Sequence, residues 1–179
     1  VCVSVQRVFC DSKIVDDFAK KLAEVASKLK VGDPTSLDTE VGPLINEKEC
    51  QRVADWVQEA LDLGADLKAG GKKISDTCYE PTVLVGADKN VKISTSEVFG
   101  PVVSIYPYDN IDDAITEANS LPVSFQAAVF TENLDVAMYC YQNLDATAVM
   151  VNEHTAFRVD WMPFAGARTS GHGVGGIPY

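Results

Sequence analysis

Three short segments, far apart in the chain, contain the side chains best suited to chemistry. Residues 1–8 read V-C-V-S-V-Q-R-V and place a thiol at Cys2, with an arginine five residues later. Residues 96–102 read S-E-V-F-G-P-V. Residues 149–173 contain an asparagine after an apolar run, followed by P-F-A-G and then by S-G-H-G. A thiolate can attack a carbonyl carbon, and an ionised carboxylate can accept hydrogen bonds from hydroxyls. A single cysteine is more often a small buried hydrophobe, however, and a single glutamate is usually a solvated surface group.

Taken together and in this order, the three segments resemble those of the aldehyde dehydrogenase superfamily. That family has a cysteine followed five residues later by an arginine, then E-x-F-G-P, and then an asparagine after a strand, followed by P-F-G-G and S-G-x-G. The predicted helices and strands between the segments also follow the family's order. The resemblance therefore covers essentially the whole chain, and three motifs in order are stronger evidence than any one of them.

The resemblance implies a catalytic thiol and a site for NAD or NADP. Cys2 would attack the aldehyde carbonyl to give a thiohemiacetal, and loss of hydride would leave a thioester that water hydrolyses. A thiol suits this chemistry because a thioester survives hydride loss and is still reactive enough to hydrolyse. Glu97 would hydrogen-bond the ribose beside the nicotinamide, and Phe99 would pack near that ring. The expected function is NAD(P)-dependent oxidation of a small aldehyde to a carboxylic acid.

The same resemblance implies a substrate pocket and one supporting residue. Asn152 would support the active site structurally, and the alternative is an asparagine that only forms a turn at the end of a strand. For His154, a structural role without substrate contact is an equal alternative. No metal site is expected. The expected pocket residues flank the cysteine or lie in the tail, and they are Val1, Val3, His154, Thr155, Phe157 and Phe164.

Two positions in the tail raise more specific questions. Arg158 could pair with an anionic end of the substrate, which arginine recognises well, although a solvated surface arginine is the more common case. Ala165 stands where the family usually has glycine. Because alanine adopts a positive φ less readily than glycine, the backbone is expected to differ slightly there.

These segments must be positioned by an alternation of strands and helices. Apolar β-branched runs predict strands, and apolar residues at helical spacing predict helices. The alternation predicts an α/β fold with an open, mostly parallel sheet flanked by helices, like the aldehyde dehydrogenase catalytic domain. The tail, 152–179, is predicted to be an ordered loop. The predicted strands span residues 3–9, 81–85, 102–106, 127–130 and 146–151. The predicted helices span residues 14–29, 47–63, 109–118 and 134–144, with Asp11 or Ser12 capping the first.

Composition restricts the class of protein. The chain has 179 residues, of which 46% are hydrophobic and 23% charged, as in ordinary globular proteins. A formal net charge of −11 argues against nucleic acid and anionic membranes as partners, because their phosphates repel such a chain. No run approaches the roughly 20 apolar residues of a membrane helix. The five cysteines include no C-x-x-C pair, so a reducing, cytoplasmic location is expected, without a zinc site or a disulfide framework.

The resemblance also implies that residues 1–179 are part of a longer catalytic domain. In the family, a general-base glutamate, an oxyanion-hole asparagine and the dinucleotide-binding domain precede the cysteine, and a strand used in oligomerisation follows the tail. The parent enzyme is expected to be a homodimer or homotetramer, and the chain alone is expected to be inactive. Two alternatives stay open. One is a CoA-acylating dehydrogenase, and the other is a non-catalytic relative that acts as a binding or assembly module.

Overall fold

Strand and helix periodicity alternate along the sequence, and the structure follows this alternation. The computed structural model describes residues 2–176. They form two units, each with its own internal contacts. Gln6–Asp109 form the first, which we call the Glu97 unit, and residues 2–5 with 110–176 belong to the second, which we call the Cys2 unit. The predicted α/β class, with a mostly parallel sheet flanked by helices, is confirmed.

A four-stranded sheet forms the centre of the Glu97 unit. Its strands are β1 (Arg7–Asp11), β2 (Asp66–Ala69), β3 (Thr82–Val85) and β4 (Val102–Tyr108), in the order β1-β4-β3-β2. Strands β1 and β3 both run parallel to β4, whereas β2 runs antiparallel to β3. Because parallel strands need crossover connections, this order requires helices between them.

Helices cover both faces of this sheet, because successive side chains of a strand point to opposite faces. Helix α1 (Val15–Ala26) packs on the face that carries Val83, and α2 (Glu47–Asp62) packs on the face that carries Leu84. The short helix α3 (Lys92–Thr95) contributes to the core on the α2 side. Full burial of one such aliphatic side chain contributes about 2 kcal/mol. The Glu97 unit therefore has two apolar layers of its own.

The Cys2 unit contains two helices and several short strands. In chain order its elements are α4 (Ile111–Ala118), β5 (Val123–Ser124), β6 (Gln126–Val129), α5 (Leu134–Asn143), β7 (Ala148–Val151), β8 (Phe164–Ala165), β9 (Ala167–Arg168) and β10 (Val174–Gly175). Strands β6 and β7 pair in parallel. Strand β5 pairs with β9, and β8 pairs with β10, both antiparallel. None of the helices within residues 2–176 combines the length and the apolar character needed to cross a bilayer.

The start of the chain differs from the sequence prediction. Residues 3–6 lie before β1 and were expected to be part of it. The predicted cap of α1 is wrong, because Ile14 occupies the N-cap position without a side-chain hydrogen bond. The Ser12 hydroxyl instead donates to the carbonyl oxygen of Tyr108 at 3.0 Å, and the Asp11 carboxylate accepts from a backbone N–H two residues later. Both candidate caps are therefore engaged in the turn that leaves β1.

Several elements were not predicted from the sequence. Strand β2 has the sequence D-L-K-A, which lacks an apolar run and is mostly exposed. It forms because the backbone of β3 offers an unpaired edge. In the tail, predicted to be a loop, β8, β9 and β10 are strands of two residues each. Such short pairs carry no readable periodicity, so pattern analysis has no signal for them.

Candidate active site

The thiol segment is held by a residue of the tail. Cys2 is exposed and Val3 is half-buried. Thr155 is buried, and its hydroxyl donates to the backbone carbonyl oxygen of Val3. This bond joins two predicted pocket residues that are 152 positions apart in the sequence. Val1, also predicted to line the pocket, lies outside the described residues.

Asn152 closes the end of the β6–β7 pair. It has a left-handed backbone, with φ 55°, which asparagine tolerates better than most residues. Its side-chain oxygen accepts from the Thr131 N–H and its side-chain nitrogen donates to the Thr131 carbonyl, both at 2.9 Å. Its own N–H donates to the carbonyl oxygen of Val129 at 2.8 Å. Asn152 therefore fixes the point at which the chain leaves two parallel strands, which is where such sheets place functional groups.

His154 makes only local contacts among the described residues. Its side chain is exposed, and its Nδ1 accepts from the Ala156 N–H at 3.1 Å. Its Nε2 lies 3.5 Å from the Glu153 carboxylate. These contacts give His154 a part in forming the turn after Asn152, and substrate contact stays a prediction.

Aromatic rings gather around Phe164. Its half-buried ring meets Phe125 edge to face, with the ring centroids 5.0 Å apart. The guanidinium carbon of Arg158 lies 4.7 Å from the Phe164 ring centroid. Phe157, the other aromatic residue predicted for the pocket, is exposed. The Arg158 guanidinium is therefore placed over a predicted pocket ring, where a cation–π contact orients it.

The alanine at position 165 fits the backbone without strain. Ala165 lies in β8, opposite Val174, and the non-glycine residues with positive φ are found elsewhere. The next residue has the stricter requirement. A Cβ atom on Gly166 would lie 2.4 Å from the carbonyl oxygen of Ser170, so only glycine fits there.

Exposure separates Cys2 from the other four cysteines. Cys2 is exposed, whereas Cys10, Cys50, Cys78 and Cys140 are buried, and none is in a disulfide. Burial raises the pKa of the Cys10, Cys50 and Cys140 thiols. Because the thiolate is the reactive form, these three are poorer nucleophiles at neutral pH than an ordinary exposed cysteine.

In the Glu97 unit, the second motif forms a turn that presents two side chains and buries the one between them. Glu97 and Phe99 are exposed, whereas Val98 is buried in the core against α2. Phe99 has φ 50°, a strained conformation for a residue with a side chain. A Cβ atom on Gly100 would lie 2.8 Å from Cγ2 of Val53, so the turn lies directly on α2.

Gln6 holds the backbone of this turn through its side-chain amide. Its nitrogen donates to the carbonyl oxygens of Ile93 at 3.0 Å and Ser96 at 2.8 Å. Its oxygen accepts from the N–H of Val98 at 2.8 Å. Gln6 lies within the first motif, but no sequence pattern indicated its function. Its partners lie about ninety positions away, so no local pattern could reveal these contacts.

Arg52, on α2, binds the other backbone polar group of Val98, its carbonyl oxygen. Its Nη2 donates to the Val98 carbonyl oxygen at 2.7 Å, and its Nε donates to the Glu49 carboxylate at 2.6 Å. The guanidinium also stacks on Trp56, at 4.3 Å from the ring centroid. This residue too was missed, because a charged residue on an amphipathic helix is usually part of its solvated face.

The two groups of residues offer different chemistry. The Cys2 unit has an exposed thiol that can add to an electrophilic carbon. The Glu97 unit has an exposed carboxylate and an exposed ring, which suit a ligand with paired hydroxyls and a flat ring. Within residues 2–176, no group of three or more His, Cys, Asp or Glu side chains is arranged to hold a metal ion.

Comparison with known proteins gives one consistent result. The model of the aldehyde dehydrogenase family matches residues 1–179. A 3-sulfolactaldehyde dehydrogenase from Priestia aryabhattai is 40% identical over 179 residues, which are 100% of this chain and 37% of that protein. The chain thus spans about 37% of the length of this curated relative.

Two solved structures share the fold over the whole chain. An aldehyde dehydrogenase from Physcomitrella patens, in complex with the reaction product succinate, superposes with a TM-score of 0.95 at 32% identity. A glyceraldehyde-3-phosphate dehydrogenase from Methanocaldococcus jannaschii, complexed with NADP, gives a TM-score of 0.94 at 34% identity. Each comparison covers 100% of this chain, and 37% and 39% of the respective neighbours.

Proposed function

This chain belongs to the aldehyde dehydrogenase family, and we propose that it is the cysteine-bearing part of a longer, NAD(P)-dependent enzyme that oxidises an aldehyde to a carboxylic acid. The observation that carries the proposal is the exposure of Cys2. Of five cysteines it alone is exposed, and it is also the one that the motif resemblance assigns as the nucleophile. A buried structural thiol would not satisfy both conditions.

The reaction follows from the properties of a thiol. The Cys2 sulfur adds to the aldehyde carbon, and the carbonyl oxygen takes up a proton to give a thiohemiacetal. That carbon then loses a hydride, its hydroxyl group releases a proton, and the carbon becomes the carbonyl of a thioester. Water attacks the thioester, the C–S bond breaks, and the acid and the thiol are released. NAD or NADP, when bound, supplies the oxidising capacity by accepting the hydride.

We assign the cofactor contacts to the turn in the Glu97 unit. The exposed Glu97 carboxylate can accept hydrogen bonds from both hydroxyls of a ribose, and the exposed Phe99 ring can pack beside a flat ring. The fit rests on this donor and acceptor chemistry. A binding turn also explains why Phe99 retains a strained backbone, since strain is concentrated at functional sites.

We assign substrate contacts to the thiol segment and the tail, with Asn152 as the residue that fixes the tail at its start. The proposed lining residues are Val1, Val3, His154, Thr155, Phe157 and Phe164. Arg158 is the proposed partner for an anionic end of the aldehyde, since its guanidinium lies over the Phe164 ring. The names of three relatives are compatible with such a substrate, because they mention a sulfonated aldehyde, a phosphorylated aldehyde and the dicarboxylate succinate.

The setting of the enzyme follows the same proposal. A homodimer or homotetramer in a reducing, cytoplasmic compartment fits a chain with five free cysteines, and a net charge of −11 disfavours nucleic acid and anionic membranes as partners. We also propose that residues 1–179 belong to one catalytic domain of the longer enzyme, and that the isolated chain does not oxidise aldehydes.

Trapping of the acyl group tests the reaction. The full-length enzyme is mixed with NADP or NAD and an excess of a carboxylated aldehyde, quenched in acid within seconds, and digested for mass spectrometry. The expected result is an acyl mass on the peptide that contains Cys2 and none on the peptide with Cys140, the matched buried thiol of the same unit. Turnover without any acylated Cys2 in a rapid-quench series, or in a Cys2→Ala variant, would show that the assignment is wrong.

The same sample separates the proposed reaction from its nearest alternative. Hydrolysis gives the free acid without CoA, whereas a CoA-acylating enzyme turns over only when CoA is present. A parallel assay of the isolated 179-residue chain is expected to show no aldehyde oxidation. Normal turnover by that chain would contradict the proposal that other parts of the enzyme are required.

Substitution of Arg158 tests the substrate class. In the full-length enzyme, Arg158→Ala is expected to raise KM for a carboxylated or sulfonated aldehyde about tenfold and to leave KM for an uncharged aldehyde of similar length unchanged. A charged hydrogen bond from an exposed arginine contributes about that much. Lys13, an exposed cation of the Glu97 unit, provides the control variant Lys13→Ala. Equal KM values for the anionic aldehyde in wild type and Arg158→Ala would show that Arg158 does not bind the anionic end of the substrate.

A further inference from the structure

Both backbone polar groups of Val98 are bound by side chains that the proposed chemistry does not use. Its N–H donates to the Gln6 oxygen at 2.8 Å, and its carbonyl oxygen accepts from Nη2 of Arg52 at 2.7 Å. Val98 lies outside any helix or strand, so no regular backbone ladder satisfies these groups. Buried peptide groups need partners, and here two side chains supply them.

The Gln6 amide is itself fully engaged. Its two N–H groups meet the carbonyl oxygens of Ile93 and Ser96, and its oxygen meets the Val98 N–H. Exchange of the amide oxygen and nitrogen would set like groups against one another at all three contacts, so the orientation of the amide is determined. The backbone carbonyl of Gln6 also accepts from the N–H of Ser104 in β4 at 2.9 Å. The glutamine is therefore fixed to the sheet while its amide holds the turn.

Arg52 is held equally firmly. Its side chain is about a quarter exposed, at 24%, and it is paired with Glu49 and stacked on Trp56. Its Nη1 is buried with no hydrogen-bond partner among the described residues. A buried N–H group without a partner is unfavourable. Arg52 nevertheless keeps the orientation in which Nη2 bonds to the Val98 carbonyl oxygen.

We propose that Gln6 and Arg52 are positioning residues that fix the backbone of Val98. They thereby hold the neighbouring side chains of Glu97 and Phe99 in the exposed arrangement that binds NAD(P). The inference rests on the proposed function of Glu97 and Phe99. Neither Gln6 nor Arg52 touches the cofactor in this proposal. They oppose relaxation of the strained Phe99 backbone, whose φ is 50°, because both peptide groups of the preceding residue are already bound.

The test compares Gln6→Met and Arg52→Met in the full-length enzyme. Each replacement keeps an unbranched side chain of similar length and removes the hydrogen bonds to the turn. The control is Gln58→Met, which removes an exposed glutamine of α2 whose amide donates to the carboxylate of Asp62 in the same helix. The readouts are the dissociation constants of NADP and NAD by fluorescence titration, KM for the aldehyde, kcat, the rate of Cys2 alkylation without cofactor, and Tm.

Weaker cofactor binding with intact aldehyde handling is the expected result. Gln6→Met and Arg52→Met should each raise the NAD(P) dissociation constant about tenfold, and Arg52→Lys, which keeps a donor, should recover part of that loss. The aldehyde KM and the rate of Cys2 alkylation should stay within about twofold of wild type, because a positioning role at the cofactor turn leaves the substrate contacts in place. A purely structural role would lower Tm and leave the cofactor affinity of the folded enzyme unchanged.

The Glu97→Gln variant separates the two ways in which the inference can fail. If Glu97→Gln weakens cofactor binding but folded Gln6→Met or Arg52→Met does not, the positioning role is overturned and the cofactor assignment stands. If Glu97→Gln has no effect either, the cofactor assignment itself is wrong. Should Gln6→Met not accumulate as folded protein, Arg52→Met alone decides, since 24% of the Arg52 side chain is exposed and its loss leaves the buried core residues in place.

Discussion

The two units of the chain hold their proposed functional residues in different ways. In the Glu97 unit, the functional turn lies on a hydrophobic core, and its central residue, Val98, is 1% exposed and bound from both sides. In the Cys2 unit, the thiol segment is largely exposed and is held by the hydroxyl of Thr155, and the start of the tail is held by two side-chain hydrogen bonds of the exposed Asn152. Buried residues are few there, and large apolar side chains such as Trp161 are exposed at 72%.

The difference indicates that the turn proposed to bind the cofactor is more rigid than the segments proposed to bind the substrate. Local stability follows the number of buried apolar contacts and buried hydrogen bonds, so the Glu97 unit should open less often than the Cys2 unit. The division suits the proposed function. One dinucleotide must be bound in one geometry, whereas the aldehyde varies among relatives of the same family.

The largest expected effect separates chemistry from cofactor binding. Cys2→Ser should lower kcat by at least about 10³-fold, because a hydroxyl at neutral pH is a far weaker nucleophile than a thiolate. The affinity for NAD(P), which we assign to the other unit, should not change. Steady-state kinetics and a fluorescence titration measure the two quantities on one preparation. If Cys2→Ser retained turnover while Cys140→Ala lost it, the assignment of the nucleophile would be wrong.

A pair of core substitutions compares the stability of the two units. Leu84→Ala, at a position 0% exposed in β3, should lower the free energy of unfolding by about 3 kcal/mol through lost burial and the cavity left behind. Met150→Ala, at 7% exposed in β7, should cost less, about 2 kcal/mol, since a thinner core collapses more easily. Urea titration monitored by amide hydrogen exchange assigns each loss to its unit. A greater loss from Met150→Ala would reverse the comparison.

Thiol labelling tests the exposure difference directly. Iodoacetamide at pH 7.5 should modify Cys2 at least about tenfold faster than Cys10, Cys50 or Cys140, which are buried. Burial raises the pKa of these three thiols, so their thiolate fraction at pH 9 should still be below that of a free cysteine. Mass spectrometry of timed digests across pH 7 to 9 measures each rate. Equal labelling rates for Cys2 and the buried thiols would show that burial does not protect the buried thiols, and would contradict the exposure difference.

The smallest expected effect concerns the residue that closes β6 and β7. Asn152→Ala should cost about 1 kcal/mol, because two side-chain hydrogen bonds are lost and alanine is unfavourable at positive φ. Asn152→Gly loses the same hydrogen bonds, but glycine adopts a positive φ without strain, so the free energy of unfolding should fall by less. Hydrogen exchange at the Thr131 amide reports the change. Equal exchange rates of the Thr131 amide in wild type and Asn152→Ala would show that the bond from Thr131 to Asn152 does not stabilise the fold.

Much of the fold could be predicted because local pattern reflects local physics. Helix α2 forms where apolar residues recur at helical spacing, and Asn46 begins it by accepting the Glu49 N–H at 2.9 Å. Strands β3, β4, β6 and β7 form where apolar runs were read, within a few residues of the predicted bounds. Strand β2 was missed because it forms by pairing with the edge of β3, and its own sequence has no strand pattern.

The sequence by itself determined which residues could carry the chemistry. The order of the motifs identified Cys2, Glu97, Phe99 and Asn152, and the alternation of elements determined the α/β class. Only the tertiary structure decided which partners hold them. The Gln6 amide meets backbone groups 87 to 92 positions away, and Thr155 meets Val3 across 152 positions. Propensity and periodicity act over a few neighbouring residues, whereas these bonds exist only after distant segments of the chain have folded together.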